Sequence, residues 1–408
     1  MGLTTGDPIS SKMISFMEKS SWIRKMFEEG IRLKAEHGAD KVCDFSLGNP
    51  DLPPPEAFNT ALERAARDHS RGVHAYMPNA GLLPVRQRIA ERIEKDHGVR
   101  PGPDDVILTC GAAGGLNIIF KALLDPGDEV ITPSPYFVEY GFYVDNHGGR
   151  LVSVPTRPDF SLDLESIERA IGDRTKAVLI NSPNNPTGAI YSEADLASLA
   201  DILARAGVRL GRPVYLVSDE PYRRLAFSGE TVPQVLSLYP ESIITTSFSK
   251  DLSIPGERIG YVVVNPRASH RPLLVGAMVL ANRILGFVNA PALMQRVTSD
   301  VLDMCVDVGV YERRRNLFAG ILGDAGYEFS LPRGAFYFFP KTPIPDDTEF
   351  VRLLQEELIL TVPGTGFGCP GHFRIAFCVD ESVIERSRKG FARAMEKARS
   401  RLGGQKAL

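Results

Sequence analysis

Four short stretches of this 408-residue chain concentrate groups that a packed core does not want. In "TSFSKDLSIPGERIGY" (246–261) a run of β-formers, Ile243-Ile244-Thr245-Thr246, ends on Ser247, Ser249, Lys250 and, a short step further on, Arg258. An ammonium is a poor nucleophile until desolvation or a neighbouring cation lowers its pKa, and a guanidinium offers a two-pronged fork suited to phosphate. The two serines add hydroxyl donors. A surface lysine opening a loop is the plain alternative, and the S-x-S before Lys250 and the arginine after it argue against that reading.

The other three stretches also stand where a strand should end. In "ILTCGAAGG" (107–115) a strand breaks on Gly111 and a helix begins, so the backbone N–H groups of Ala112 and Ala113 can receive a phosphate at the helix's positive end. Alone, this is also what an ordinary strand-to-helix turn looks like. In "INSPNNPTGAI" (180–190) Pro186 fixes φ and Gly188 permits a left-handed conformation, giving a rigid loop that can aim the Asn185 amide; a plain turn is the alternative. In "VYLVSDEPY" (214–222) an apolar strand ends in Asp219 and Glu220, with Tyr222 beyond a proline. A carboxylate at that depth needs a partner or a shifted pKa, and a protonated ring nitrogen would be such a partner; capping a helix is the simpler role.

The surrounding elements are of the kind that brings strand ends together. Between about residue 105 and residue 265, short apolar runs rich in β-branched residues (DVILT, DEVIT, KAVLIN, VYLVSD, SIITTS, IGYVVVN) alternate with helical patterns. This predicts an α/β fold: a mostly parallel central sheet with helices on both faces. In such sheets ligands bind at the carboxyl ends of the strands. After about residue 295 long charged helices and short strands predict a smaller α+β domain. The expected division is residues 1–55 as an N-terminal arm and part of the small domain, 56–295 as the large domain and 296–408 as the small C-terminal domain. A chain of this length exceeds the roughly 250–300 residues at which single cores stop growing.

Composition narrows the function classes. With 47 basic and 50 acidic residues the net charge is -3, which offers no general attraction to nucleic acid or to an anionic membrane. Five cysteines without a CxxC pair read as reduced thiols of a cytoplasmic protein. Seven histidines show no metal-binding spacing, so no metal is expected. The N-terminal "MGLTTGDPISSKMISF" lacks the apolar region of an export signal. The stretch "PLLVGAMVLANRILGFVNAPALM" (272–294) carries Asn282, Arg283 and Asn289, and reads as a buried helix or helix pair rather than a membrane span.

Taken jointly and in order, the glycine turn, N-P-T-G, D-x-x-Y, S-x-S-K and the arginine of "ERIG" resemble the class I aminotransferases, enzymes of the aspartate aminotransferase fold that use pyridoxal 5′-phosphate. The likeness extends to "FSLGNPD" (45–51), "HAYMPNAG" (74–81), "LPRGAFYFF" (331–339) and "VPGTGFGCPGHFRIAF" (362–377). The resemblance implies that Lys250 forms a Schiff base with the cofactor aldehyde and later shuttles the proton. It implies that Asp219 pairs with the ring nitrogen, that Asn185 and Tyr222 hydrogen-bond the phenolic oxygen, and that Phe137 stacks on the ring. Ala112 and Ala113, Ser247 and Arg258 would hold the phosphate, with Tyr76 reaching it from the neighbouring subunit of a homodimer whose active sites are shared. Arg374 would grip the substrate's α-carboxylate and the backbone of Gly48 would close over it. The implied reaction is ping-pong transamination between an L-amino acid and a 2-oxo acid.

The pattern also departs from its relatives. Bacterial aspartate aminotransferases often have a lysine in the glycine turn that helps bind the substrate's distal carboxylate, and this sequence has Ala113 there. Arg283 could substitute for it, although an apolar setting argues for a structural ion pair. A carbon–sulfur β-lyase on the same scaffold shares the Lys, Asp, Tyr and Arg set and is the alternative activity. A regulatory descendant is a third reading, but fewer than about fifty residues precede "SLGNPD", too few for a helix-turn-helix domain and a linker.

Overall fold

A computed structural model describes residues 8–19 and 21–405; the first seven residues of the N-terminal stretch considered above lie outside it. Twelve strands occur among the described residues: β1 (Cys43–Asp44), β2 (Val106–Thr109), β3 (Glu129–Ser134), β4 (Arg150–Pro155), β5 (Thr175–Asn181), β6 (Tyr215–Asp219), β7 (Ser242–Ser247), β8 (Gly260–Val264), β9 (Tyr337–Phe338), β10 (Ile359–Leu360), β11 (Val362–Pro363) and β12 (Phe373–Ala376). The chain divides into two compact units. One comprises residues 50–312 and 332–335, the other residues 1–49, 313–331 and 336–408.

The larger unit is built on a seven-stranded sheet in the order β2-β8-β7-β6-β5-β3-β4. Its β4, β3, β5, β6 and β7 run parallel, and β8 lies antiparallel to both β7 and β2. Successive residues of each strand are buried on opposite faces, as a period of two requires. Ile107, Ala177, Leu179, Val217, Ile243, Val262 and Val264 pack with the helices Gly111–Leu123 and Arg271–Ile284. Val106, Leu108, Ile244 and Val263 turn the other way, onto Val85, Ile89 and Ile93 of the helix Leu83–His97. Val178, Ile180 and Leu216 meet Leu196, Leu199 and Leu203 of the helix Glu193–Leu210. Each such fully buried aliphatic side chain contributes about 1.5–3 kcal/mol, so the strands are held in register by both layers at once.

Close packing of helix on sheet depends on one small residue. A Cβ at Gly115 would collide with the hydroxyl of Thr245 and stand 3.0 Å from a methyl of Val262. The helix Gly111–Leu123 therefore lies low enough on the sheet for its first turn to reach the strand ends. The stretch 272–294 forms parts of two helices, Arg271–Ile284 and Ala292–Asp300. The second packs on Phe58, Ala61 and Val85, so this unit continues past residue 295, where the sequence texture changes. The pair is the second of the two forms expected for this stretch, and its first helix keeps Leu273, Leu280 and Ile284 exposed.

In the smaller unit β1 pairs in parallel with β10, and β11, β12 and β9 form an antiparallel sheet. Phe45, Phe318, Phe338 and Phe391 form an aromatic core there, with neighbouring ring centroids 5.0–6.2 Å apart.

Candidate active site

Strand register brings the chemistry-bearing stretches of the larger unit to one edge of the sheet. Asn181, Asp219 and Thr245 lie side by side on β5, β6 and β7, and Ser247, Gly260 and Thr109 do so on β7, β8 and β2. The parallel strands all end here, as the location of ligand sites in open α/β sheets requires.

Asp219 is 5 % exposed at the end of β6. The Tyr140 hydroxyl donates to its Oδ2 at 2.6 Å, while Oδ1 is buried and has no protein partner. Burial pushes its carboxyl up to about 7, against the Tyr140 hydrogen bond and with the help of the Glu220 charge. A buried carboxylate oxygen without a donor is costly, and a protonated ring nitrogen is a donor of the right kind and charge. Asn181 braces this point: its Nδ2 donates to the Asp219 carbonyl at 2.8 Å and its Oδ1 accepts from the Asn185 N–H at 2.7 Å. The loop that carries Asn185 has cis peptides before Pro183 and Pro186, and Gly188 has the expected positive φ of 70°. Asn185 and Tyr222 are both buried, at 6 % and 5 % exposure. Phe137 is half-buried and meets Tyr140 edge-on, with centroids 5.6 Å apart.

The glycine turn and Arg258 form a cradle. Gly111 opens its helix with φ +70°, and a Cβ on it would stand 3.1 Å from the Arg258 Nη2. Arg258 itself is held at φ 52°, a conformation that costs a non-glycine residue about 1 kcal/mol or more, with its Nη1 donating to the Pro255 carbonyl at 2.9 Å. Cβ atoms at Gly260 would meet the backbone of Gly111 and Thr246. The guanidinium thus stands against the open first turn that carries Ala112 and Ala113, and buried Ser247 ends the strand paired with Gly260. Helix N–H groups, a guanidinium and a hydroxyl make a donor set for a phosphate. Lys250 follows in the turn after β7, half-buried, between buried Ser249 and Asp251.

In the smaller unit, Arg374 of β12 is 3 % exposed. Its Nη2 donates to the Ser46 carbonyl at 2.6 Å, and its guanidinium carbon lies 4.9 Å and 4.7 Å from the ring centroids of Tyr337 and Phe367. Gly48 abuts the same tyrosine, whose hydroxyl occupies the place a Cβ would take. Two residues proposed for one task therefore share a wall. Tyr76 is 93 % exposed, so within one chain it joins no part of the phosphate cradle. Arg283 is exposed and forms no ion pair among the described residues, which corrects the structural ion pair expected from its apolar setting; its helix turns that side outward.

The motifs did not point to Tyr140, Asn181 or His97, and they gave Glu220 no role distinct from that of Asp219. Glu220 is 2 % exposed; its Oε2 lies 3.2 Å from His97 Nε2 and from Arg223 Nη1, and Oε1 accepts from Ser218 at 2.8 Å. Burial pushes this carboxyl up, but His97, Arg223 and Ser218 together hold it at about 2. Because the folded value is below the ordinary 4.5, this stabilisation is complete above pH 4.5 and is lost as the pH falls through 2; it amounts to roughly 3 kcal/mol. Glu220→Gln is therefore expected to lower unfolding free energy by roughly 3 kcal/mol at pH 7 and to flatten the acid limb of the stability curve. Urea titrations across that pH range check this, and an unchanged acid limb would refute it.

A buried carboxylate with one unpartnered oxygen, a set of donors suited to phosphate beside it and a lysine in the adjoining turn are what a fold-type I pyridoxal 5′-phosphate enzyme requires. The family model for class I and II aminotransferases matches residues 40–390. The probable aspartate/prephenate aminotransferase of Thermus aquaticus is 34% identical over 367 residues, covering 88% of this chain and 92% of that protein. The aspartate aminotransferase of Bacillus subtilis is 30% identical over 379 residues, covering 87% and 92%. Among solved structures, an aminotransferase from Eubacterium rectale superposes with a TM-score of 0.93 at 38% identity, covering 96% of this chain and all of that one. The aspartate aminotransferase of Thermus thermophilus with maleate gives 0.82 at 31% identity, covering 95% and 99%. The chain belongs to the class I and II aminotransferases, and its cofactor is pyridoxal 5′-phosphate.

Proposed function

We propose that this aminotransferase takes the amino group of aspartate and passes it to a 2-oxo acid, with the residues assigned above in the roles their positions suit. The observation that carries the site assignment is the buried, unpartnered Oδ1 of Asp219 at the strand edge shared by the glycine turn and Lys250. When bound, the cofactor supplies an aldehyde that accepts amino groups and a ring that draws electrons from the substrate's Cα. Asp219 holds a positive charge at the ring nitrogen. Asn185 and Tyr222 orient the ring through its phenolic oxygen, Phe137 packs on its face, and Ala112, Ala113, Ser247 and Arg258 hold its phosphate. Lys250 provides the amine that attaches the cofactor and moves the proton at Cα.

Arg374, with Gly48 beside it, binds the substrate's α-carboxylate, because a guanidinium packed on two aromatic rings is fixed in direction and presents parallel donors. Arg374→Ala is expected to raise the amino donor's KM about 100-fold and leave cofactor affinity within about twofold. Equal loss of both, measured by donor titration and by cofactor equilibrium binding, would show the residue to be misassigned.

The names of the Thermus and Bacillus relatives support aspartate as donor. Ala113 in the glycine turn means that a distal carboxylate must find its cation elsewhere. The deciding experiment is a half-reaction screen of the common amino acids, following conversion of the cofactor from its aldehyde to its amine form. Aspartate is expected to be among the fastest donors; a screen in which it is inert and a neutral amino acid reacts would overturn the specificity. Pyruvate and ammonia released from a cysteine conjugate without any oxo acid would favour the β-lyase.

The enzyme acts as a cytoplasmic homodimer in this reading. An apolar stripe of Leu273, Leu280 and Ile284, 75%, 48% and 56% exposed, supports a partner surface, as does exposed Tyr76, and five free cysteines suit a reducing compartment. Among the described residues no helix is long and apolar enough to cross a membrane.

A further inference from the structure

The two rings against Arg374, both in the smaller unit, are held in different ways. Tyr337 belongs to β9, and the pairing of that strand with β12, Tyr337 opposite Ala376, sets its ring beside the guanidinium. Phe367 lies on no strand. It ends the short helical turn Gly364–Phe367 that follows β11, and its ring is fully buried, with the centroid 4.7 Å from the guanidinium carbon. The placement of that turn therefore decides where one wall of the arginine stands.

The turn is pinned at two successive residues. The Gly364 N–H donates to the His372 carbonyl at 2.7 Å, the Cys369 N–H donates to the Gly364 carbonyl at 3.0 Å, and a Cβ at Gly364 would collide with the carbonyls of Cys369 and His372. Thr365 is held by a side chain from another element. Its N–H donates to Asp347 Oδ2 at 2.6 Å, and its hydroxyl lies 2.9 and 3.0 Å from Asp347 Oδ1 and Oδ2. Asp347 is 3 % exposed at the start of the helix Asp347–Glu356, yet it does not cap that helix. Asp346 does so, accepting the N–H groups of Thr348 and Glu349 at 2.9 and 3.0 Å. A buried carboxylate is costly unless hydrogen-bonded, and both oxygens of this one face the turn.

We propose that Asp347 and Thr365 are positioning residues for binding of the amino donor. Their bonds fix the Gly364–Phe367 turn, the turn fixes the Phe367 ring, and the ring fixes the direction in which Arg374 presents its donors. This deepens the α-carboxylate role proposed above for Arg374 and rests on it. A guanidinium binds a carboxylate by two parallel bonds only when its plane is set, and an aromatic face beside it sets that plane without competing for the N–H groups. A strand keeps its place through ladder bonds along its length. A turn has no ladder, so the side-chain pin at Thr365 does for Phe367 what strand pairing does for Tyr337. Loosening the pin should weaken the hold on the donor more than it slows the bound complex.

Steady-state kinetics and cofactor binding of the holoenzyme variants test it. Asp347→Ala is expected to raise the amino donor's KM about tenfold, with kcat and cofactor affinity each within about twofold of the parent. Thr365→Val, which keeps the backbone N–H bond, should raise KM about threefold, and Thr365→Ser, which keeps the hydroxyl, should restore the parent value. Thr365 is exposed, so these two variants decide the matter even where Asp347→Ala fails to fold. A pin with a merely structural role would lower the unfolding midpoint and leave the donor's KM unchanged, and that result would overturn the proposal. In an Arg374→Ala background, Asp347→Ala should add less than about twofold to KM, because the residue it acts through is gone. A full tenfold increase there would overturn the route through Arg374. Failure of the underlying function reading looks different: Arg374→Ala by itself would then leave the donor's KM unchanged, whatever the turn variants do.

Discussion

Replacing Lys250 by alanine is expected to lower turnover by at least about 10⁴-fold and to leave no cofactor covalently attached after borohydride reduction. Both effects follow from the two tasks proposed for one Nζ, attachment and proton movement. Arg258, the cation of the neighbouring donor set, is no equivalent substitute for that amine, because a guanidinium suits a phosphate and does not attack an aldehyde. Lys250→Arg should therefore fail as completely as Lys250→Ala, which separates the need for an amine from the need for a positive charge. Folding should survive either change, since Lys250 is half-buried in a turn and contributes to none of the apolar clusters of the sheet. Mass analysis of reduced holoenzyme checks the assignment. Cofactor found on another lysine, or retained by the alanine variant, would end it.

Much of this arrangement was legible before any coordinates. A strand buried on both faces must be apolar throughout, so serines, a lysine, an aspartate and an asparagine at the ends of such runs mark the edge where the sheet meets a ligand. The registers Asn181–Asp219–Thr245 and Ser247–Gly260–Thr109 put those ends side by side. The antiparallel return of β8 left no such mark, since the link from Ser247 to Gly260 is about as long as the shortest crossover connection. Other features had no local signature. Tyr140 lies 79 residues before Asp219 and Asn181 lies 38 before it, so neither contact leaves a spacing in the sequence. Tyr140 stands three residues after Phe137, yet only Phe137 suggested a role, because a tyrosine there is equally at home in a core. Asp219 and Glu220 look equivalent as adjacent carboxylates. Alternation at the end of an extended strand sends them to opposite sides, one toward the cofactor cradle and the other into the ion cluster of His97 and Arg223.

That division of labour predicts that Asp219→Asn will damage catalysis while stabilising the protein without its cofactor. Asp219 has a folded pKa of about 7 against an ordinary 3.8, chiefly through burial. For a carboxyl raised in this way the penalty is absent below pH 3.8, grows as the pH rises from there to 7, and is then constant at roughly 4 kcal/mol. Asparagine removes that charge, keeps an oxygen for the Tyr140 hydroxyl and leaves a buried amide N–H₂ unpaired at a cost of about 1–3 kcal/mol. The cofactor-free variant should therefore be more stable than the cofactor-free parent by on the order of 1 kcal/mol or more at pH 8, and no more stable at pH 4. With cofactor the order reverses, because the parent's carboxylate then has a cationic partner and the amide does not. Turnover should fall about 10²–10³-fold or more, the cost of losing a fixed charge aimed at a developing one. Denaturant titrations of both proteins, with and without cofactor at the two pH values, give the four free energies required. If the cofactor-free variant proves less stable than its parent at pH 8, the Asp219 carboxylate already has a partner in the empty protein, and its pairing with the ring nitrogen must be abandoned.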